Sequence, residues 1–159
     1  MSIRTELGRF FKGFGYAAKG IAYCVRTQRN FRFHMGAAVG VAFASCICRI
    51  TAAEMLAVIF AVAGVLSLEA LNTALESSVD LSSKGKRSEL AGRAKDCAAA
   101  SVLLFSIGAA CTGLFIFLRK GRLAVLFEFF SDPLRLCMAV AYLLLWFLWV
   151  FVLFRKKKR

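Results

Sequence analysis

One stripe of polar residues interrupts an otherwise apolar part of the chain. Glu69, Asn72, Glu76 and Asp80 lie at i, i+3, i+7 and i+11, and on a helix this spacing keeps them within about 80° of one another. Ionisable side chains at the end of an apolar run are costly near a membrane and usually mark function. Oxygen ligands at this density suit a hard cation such as Mg²⁺. A merely solvated stripe is the alternative, and it suits Asp80 better than Glu69.

A second charged segment, residues 89–96, follows the stripe along the chain. In it, Lys95 offers a point charge for a phosphate group, and Asp96 offers a further oxygen. A basic segment beside acidic, metal-binding residues is what nucleotide phosphates with Mg²⁺ require. The chain has no G-x-x-x-x-G-K-[ST] motif, and the stretch 84–88 does not replace it. Any ATP site here is therefore not a P-loop.

Composition indicates the kind of fold that carries these residues. The chain has 159 residues, enough for one domain, and 60% of them are hydrophobic, against about 45–50% in soluble domains. That content excludes a disordered chain. The net charge is +13, and the basic residues stand in blocks between long uncharged runs. This arrangement favours an anionic membrane face over a nucleic-acid partner, which would meet a basic, soluble, groove-facing surface.

The periodicity predicts an all-α, polytopic membrane helix bundle that begins with an amphipathic helix. Over residues 3–26, apolar and aromatic side chains share one face and basic side chains the other, as in helices that lie in the membrane interface. Gly36 and Gly40 suit close packing of the next helix. A spanning helix needs about 20 apolar residues. Uncharged runs and their flanks predict four transmembrane helices, at about 33–50, 54–80, 91–118 and 134–154.

The distribution of Lys and Arg predicts the orientation of these helices. Residues 1–34, the 80–96 loop and the 155–159 tail carry 17 of the 22 basic residues. With four spans these three segments share one side, which the positive-inside rule makes cytoplasmic. The chain then divides into a core, residues 1–118, and an extension, residues 119–159. The extension comprises an external loop, a fourth transmembrane helix and a basic cytoplasmic tail.

Several motifs resemble one known family, the prokaryotic diacylglycerol kinases, which include the undecaprenol kinases of Gram-positive bacteria. The strongest are the stretch 69–80, which reads E-x-x-N-T-A-L-E-x-x-V-D, and the stretch 94–99, which reads A-K-D-x-A-A. Residues 9–20 are similar to the family's interfacial helix. Residues 30–34, N-F-R-F-H, are similar to the entry of its first spanning helix, especially in the undecaprenol-kinase branch. The resemblance covers about residues 4–118.

The resemblance implies a fold, an activity and a location. Such enzymes are homotrimers of three-helix protomers in the bacterial plasma or inner membrane. They transfer the γ-phosphate of ATP to a lipid alcohol with Mg²⁺ as cofactor. Their active sites are shared between protomers at the cytoplasmic face. A fourth helix lies outside the usual family pattern.

The resemblance also implies a role for each matching residue. Glu69 would be the general base on the lipid hydroxyl, and Ala99 would also contact the lipid. Glu76 would hold Mg²⁺ with the help of Asn72. The residues expected near the nucleotide are Arg9, Tyr16, Asn72, Glu76, Lys95 and Asp96. This agrees with the residue chemistry, since a carboxylate at the membrane border can take a proton while cations stabilise the transferring phosphoryl group.

Gln28 is the sharpest departure from the family, because it stands where a second metal-binding Glu is usual. An amide oxygen brings no charge, but it can still coordinate Mg²⁺. We therefore predict Gln28 as a metal ligand. His34 is the one histidine of the chain, and we expect it to serve helix entry rather than catalysis.

The motifs favour a lipid kinase and leave two alternatives open. Residues 30–34 favour undecaprenol as the substrate, whereas residues 88–96 favour diacylglycerol. The non-enzymatic alternative is a small channel or transporter subunit that uses the Glu69 stripe as an ion path. A pore would line several helices with polar residues, and the first and fourth predicted spans offer almost none.

Overall fold

The structure, a computed structural model, describes residues 3–84, 88–119 and 121–153. Within these residues the chain is helical and contains no strand, which confirms the all-α prediction. The six helices are α1 (Ile3–Thr27), α2 (Arg29–Ile47), α3 (Ala52–Ser82), α4 (Glu89–Phe117), α5 (Arg122–Phe130) and α6 (Pro133–Phe151). The basic tail and the stretch 85–87 lie outside the described residues.

Local sequence signals fix where the helices begin. Thr51 and Glu54 form a reciprocal capping box at the start of α3, which satisfies two otherwise unpaired backbone donors. The side chain of Ser88 accepts from the backbone N–H of Ala91 at the start of α4. Asp132 caps α6 with proline as the next residue, where a missing N–H costs nothing.

Three helices in the described part of the chain are long and apolar enough to cross a membrane: α3, α4 and α6. By length and composition the prediction of four spans was therefore one too many, and the helix that falls short of this criterion is α2. Its first turns carry Arg29, Asn30, Arg32 and His34, which leave too short an apolar stretch in a helix of 19 residues. The chain remains a multi-pass membrane protein, with α2 packed between α3 and α6.

The core lies mainly between α3 and α4, which form an antiparallel hairpin. The buried face of α3 comprises Val58, Val65, Glu69 and Thr73, a spacing of seven and four residues that keeps them on one side of the helix. From α4, Ala98 and Val102 are buried. Outward-facing side chains are apolar, such as Phe60, which is 73% exposed. A helix surface of this kind requires lipid or other protein around it.

Helix α1 presents its aromatic side chains on the molecular surface. Phe10, Phe11 and Phe14 are exposed, and the Phe10 and Phe14 rings meet edge to face at 5.1 Å. Helix α1 leads into α2 through a single residue, Gln28, whose backbone is extended. This agrees with the predicted amphipathic helix, since exposed aromatics on one face suit the membrane interface.

Helix α6 is attached to α2 by a buried arginine. The guanidinium of Arg32 donates to the carbonyl oxygens of Val25 and Val150, each at 3.0 Å. These carbonyls belong to the last turns of α1 and α6, where backbone acceptors lack partners within their own helix. A cation there also complements the negative end of the helix dipole. Arg32 thus joins three helices at one point.

Two aromatic residues of α6 complete the contact with α2. The Tyr142 hydroxyl donates to the carbonyl oxygen of Gly36 at 2.5 Å. The Trp146 indole lies so close to Gly36 that a Cβ atom at this position would overlap it. Gly36 therefore permits the close helix approach that its spacing predicted.

The opposite end of the bundle is held by charges. Glu54 accepts from Arg122 at 2.6 Å and from Arg119 at 3.0 Å. Arg122 also donates to the carbonyl oxygen of Ile116 at the end of α4. This cluster joins the start of α3, the end of α4 and the start of α5, so α3 begins at a polar boundary.

The first prediction concerns the side on which α6 begins and ends. Reporter domains fused after Lys120 and after Arg159 should lie in opposite compartments, because α6 alone is long enough to cross between them. Paired reporters that are active in only one compartment measure this, and finding both fusions on the same side would contradict a spanning α6.

The second prediction compares two glycines of α2. Gly36→Ala should destabilise the protein by about 1–3 kcal/mol, the usual cost of overpacking, because the new methyl overlaps Trp146. Gly40→Ala is the matched control, since its Cβ would lie 3.9 Å from Tyr142, an ordinary contact. Thermal unfolding in detergent micelles measures both. Equal melting temperatures for the two variants would show that the α2–α6 contact is not close packed.

Candidate active site

Glu69 is the buried carboxylate of the bundle, with 3% of its surface exposed. Its position follows from the length of α3. Glu69 lies 17 residues after Ala52, about 26 Å along the helix, in a membrane whose hydrocarbon core is about 30 Å thick. Since α3 starts at the polar Glu54 cluster, Glu69 lies near the opposite border of the membrane.

The partner of the Glu69 carboxylate comes from α2. His34 Nε2 lies 3.5 Å from Glu69 Oε1. The Thr73 hydroxyl donates to the backbone carbonyl of Glu69 at 2.9 Å and not to its carboxylate. A buried carboxylate requires such a polar neighbour, because an isolated charge in an apolar bundle is strongly unfavourable.

One turn further, Asn72 and Glu76 form a pair on α3. Asn72 Nδ2 donates to Glu76 Oε1 at 3.1 Å. Asn72 Oδ1 is buried and, among the described residues, has no hydrogen-bond partner. The pair therefore presents an amide oxygen and a carboxylate, which is the donor chemistry that Mg²⁺ prefers. These two residues fit a magnesium ion, with further ligands to come from elsewhere.

Lys95 and Asp80 meet at the end of the α3–α4 hairpin. Lys95 Nζ lies 2.5 Å from Asp80 Oδ1, with 35% and 65% of the side chains exposed. Exposed ion pairs of this kind contribute little to stability. Lys95 can consequently exchange the Asp80 carboxylate for a phosphate group at small cost.

Other predicted site residues lie on surfaces of the single chain. Asp96 and Ala99 are exposed, and Asp96 lies about 100° around α4 from Lys95, away from the face of Lys95, Ala98 and Val102 that meets α3. The structure thus does not bring Asp96 or Ala99 to Glu69 within one chain.

On the N-terminal side, Arg9 and Tyr16 are exposed on α1, which contacts both α2 and α3. The ammonium of Lys19 lies 5.8 Å from the Tyr16 ring centroid. Gln28 is half-buried at the α1–α2 junction, and its side chain does not cap α2. In the part of the chain that the structure describes, no group of three or more His, Cys, Asp or Glu residues is placed to hold a metal ion.

His34 was missed as a site residue, although the sequence contains a signal for it. The turn between α2 and α3 is short, residues 48–51, so the two helices must run antiparallel. His34 lies 14 residues before Cys48, and Glu69 lies 18 residues after Thr51, a difference of about one helical turn. The short turn therefore sets the two residues at similar depths in the bundle.

These features define a class of protein: a membrane helix bundle with a buried carboxylate that lies against a histidine. The comparisons then give the family. Residues 15–117 match the family described as prokaryotic diacylglycerol kinase, about two thirds of the chain. The chain belongs to this family and is a membrane-embedded lipid kinase. The family membership excludes the channel alternative.

Two relatives extend the comparison. The chain is 43% identical over 117 residues to an undecaprenol kinase of Bacillus subtilis, covering 74% of this chain and 94% of that protein. It is 44% identical over 100 residues to a diacylglycerol kinase of Synechocystis sp., covering 63% of this chain and 57% of that protein. No solved structure matches the chain.

Proposed function

We propose that this protein transfers the γ-phosphate of ATP to undecaprenol at the cytoplasmic face of a bacterial plasma membrane. The observation that carries the proposal is the carboxylate of Glu69. It is 3% exposed, and it lies near the membrane border, where the hydroxyl group of a lipid alcohol meets water. A base for a lipid hydroxyl is needed at this depth.

The proposed reaction uses Glu69 as the general base. Its carboxylate takes the proton of the lipid hydroxyl, and the lipid oxygen forms a bond to the γ-phosphorus. The bond from that phosphorus to the β–γ bridging oxygen breaks, and ADP leaves. The apolar bundle around Glu69 excludes water, which suppresses hydrolysis of ATP as a side reaction.

Residues nearer the cytoplasm would bind the nucleotide. Glu76 and the Oδ1 atom of Asn72 would hold Mg²⁺, which when bound neutralises charge on the phosphates. Lys95 would move from Asp80 to a phosphate oxygen. Arg9 and Tyr16 would approach the nucleotide from α1, which lies against α2 and α3.

We further propose that the active form is a homotrimer with sites shared between protomers. Asp96 faces away from α3 of its own chain and Ala99 is exposed, so their proposed contacts with nucleotide and lipid are open to a neighbouring copy. The few donors that one chain gathers at Glu76 support the same arrangement. The apolar outer faces of α3 and α4 offer the surface for it.

The choice of undecaprenol rests on residues 30–34 and on the relative of that name, whose length the chain covers almost completely. Diacylglycerol is the alternative, and the second relative's name supports it. Both lipids present a hydroxyl group at the membrane border. They differ in the chain behind the hydroxyl, and a lipid panel separates them.

The third prediction tests the reaction and its base together. Purified protein in mixed micelles should phosphorylate undecaprenol with MgATP faster than it phosphorylates diacylglycerol. Glu69→Gln should reduce the rate by about 10²–10⁴-fold, the usual loss for a general base, while ATP still binds. Glu128→Gln is the control, because Glu128 is an exposed residue of α5. Radiolabelled phosphate transfer and nucleotide binding are measured on the same preparations.

Three results would count against this proposal. A wild-type protein that prefers diacylglycerol would move the substrate to the alternative lipid. A Glu69→Gln variant with more than half of the wild-type rate would remove Glu69 from the base role. ATP consumption without a phosphorylated lipid would argue against lipid-alcohol transfer itself.

The fourth prediction concerns the Mg²⁺ requirement. If Gln28 faces the metal held by Glu76, Gln28→Glu should lower the Mg²⁺ concentration for half-maximal activity, because retention depends on anionic ligands. Lipid preference should not change. Activity measured against Mg²⁺ for the variant and the wild type decides this. An unchanged or raised requirement would show that another carboxylate, such as Asp80, already supplies the charge.

A further inference from the structure

His34 is placed where it can act on Glu69. Its Nε2 atom lies 3.5 Å from Glu69 Oε1, the side chain of Glu69 is 4% exposed and that of His34 is 22% exposed. The imidazole thus reaches from the protein surface to the buried carboxylate. Among the described residues, it is the side chain that meets the carboxylate of Glu69.

The segment of α2 around His34 is held from the far side by α6. Arg32 donates to the carbonyl of Val150, and the Phe33 ring packs against Trp146 at 5.1 Å. Two residues after His34, Gly36 accepts from Tyr142. Contacts before and after His34 therefore fix the backbone that carries the imidazole, and a fixed backbone is what a positioning residue needs.

We propose that His34 is the positioning residue of the general base: it holds Glu69 Oε1 and leaves Oε2 directed at the lipid hydroxyl. This rests on the proposed role of Glu69 in the kinase. A carboxylate on a flexible side chain loses rate when it rotates, and a misplacement of about 1 Å can cost about 10²-fold. A polar partner that occupies one oxygen removes that rotation. His34 itself takes no proton or phosphoryl group in the reaction.

Two amide substitutions test the geometry. In His34→Gln, the side-chain nitrogen stands near the position of the imidazole Nε2 and can still donate to Glu69. In His34→Asn, the shorter side chain places its nitrogen near the position of Nδ1 and cannot reach. His34→Leu removes the donor altogether. Ala42→Ser, an exposed position on the same helix, is the control for a substitution in α2.

We expect His34→Gln to retain the larger part of the wild-type kcat. His34→Asn and His34→Leu should lose kcat by up to about 10²-fold, with the KM for MgATP unchanged. Melting temperatures in micelles should be similar for the Gln and Asn variants. This pattern supports positioning, because a purely structural role would not distinguish two amides by their reach.

The inference is overturned if His34→Leu keeps the wild-type kcat, or if His34→Gln is as slow as His34→Asn while both remain folded. These outcomes differ from failure of the proposed function, in which the wild-type protein itself would phosphorylate no lipid alcohol. If His34→Leu unfolds, the comparison of Gln with Asn decides the question.

A second readout does not depend on activity. The chain has one histidine, so its labelled imidazole gives a single set of NMR signals that needs no assignment. Glu69→Gln should shift these signals. Glu76→Gln, seven residues further along α3, should leave them in place. Signals that are indifferent to Glu69→Gln would refute the contact on which the inference depends.

Discussion

The arrangement of the bundle depends on the buried guanidinium of Arg32. A cation with 3% exposure is tolerated only where acceptors surround it. Arg32 finds them in the last turns of α1 and α6, at Val25 and Val150. These carbonyls would otherwise be unpaired, so the needs of the arginine and of two helix ends are met together. The position of α2 follows, and with it the position of the imidazole two residues later.

The same contact explains how α6 is joined to a family core that matches only up to residue 117. Between two apolar helices in a membrane there is little hydrophobic driving force, and close packing and hydrogen bonds must hold them. Helix α6 has both kinds of contact with α2. Trp146 packs closely against Gly36, and the Tyr142 hydroxyl donates a hydrogen bond to the Gly36 carbonyl. At the other end, Arg122, the first residue of α5, binds Glu54 of α3. The added segment is therefore anchored at both borders of the membrane.

Much of this fold and part of the site could be predicted from the sequence. The polar stripe on α3 was readable because a helix has a fixed period, and the caps at Thr51, Ser88 and Asp132 follow known rules. The count of spans failed at α2. There, the span was predicted to begin at residue 33, just after Arg32, whereas Arg32 is a buried part of the packed helix whose acceptors are the ends of α1 and α6, which no single-sequence pattern reveals. The pairing of Lys95 with Asp80 also depends on how α3 and α4 meet.

His34 shows why a lone residue is hard to assign. On α2 its polar neighbour at helical spacing is Asn30, four residues earlier, an amide that offers no charge, so its type alone favours a role at the helix entry. Its partner lies 35 positions away in the sequence, and only the short α2–α3 turn brings the two to similar depths. A buried carboxylate therefore says more about the site than the histidine does. Once Glu69 is placed at the membrane border, a polar partner is expected from the antiparallel helix, and the 3.5 Å contact with His34 identifies that partner.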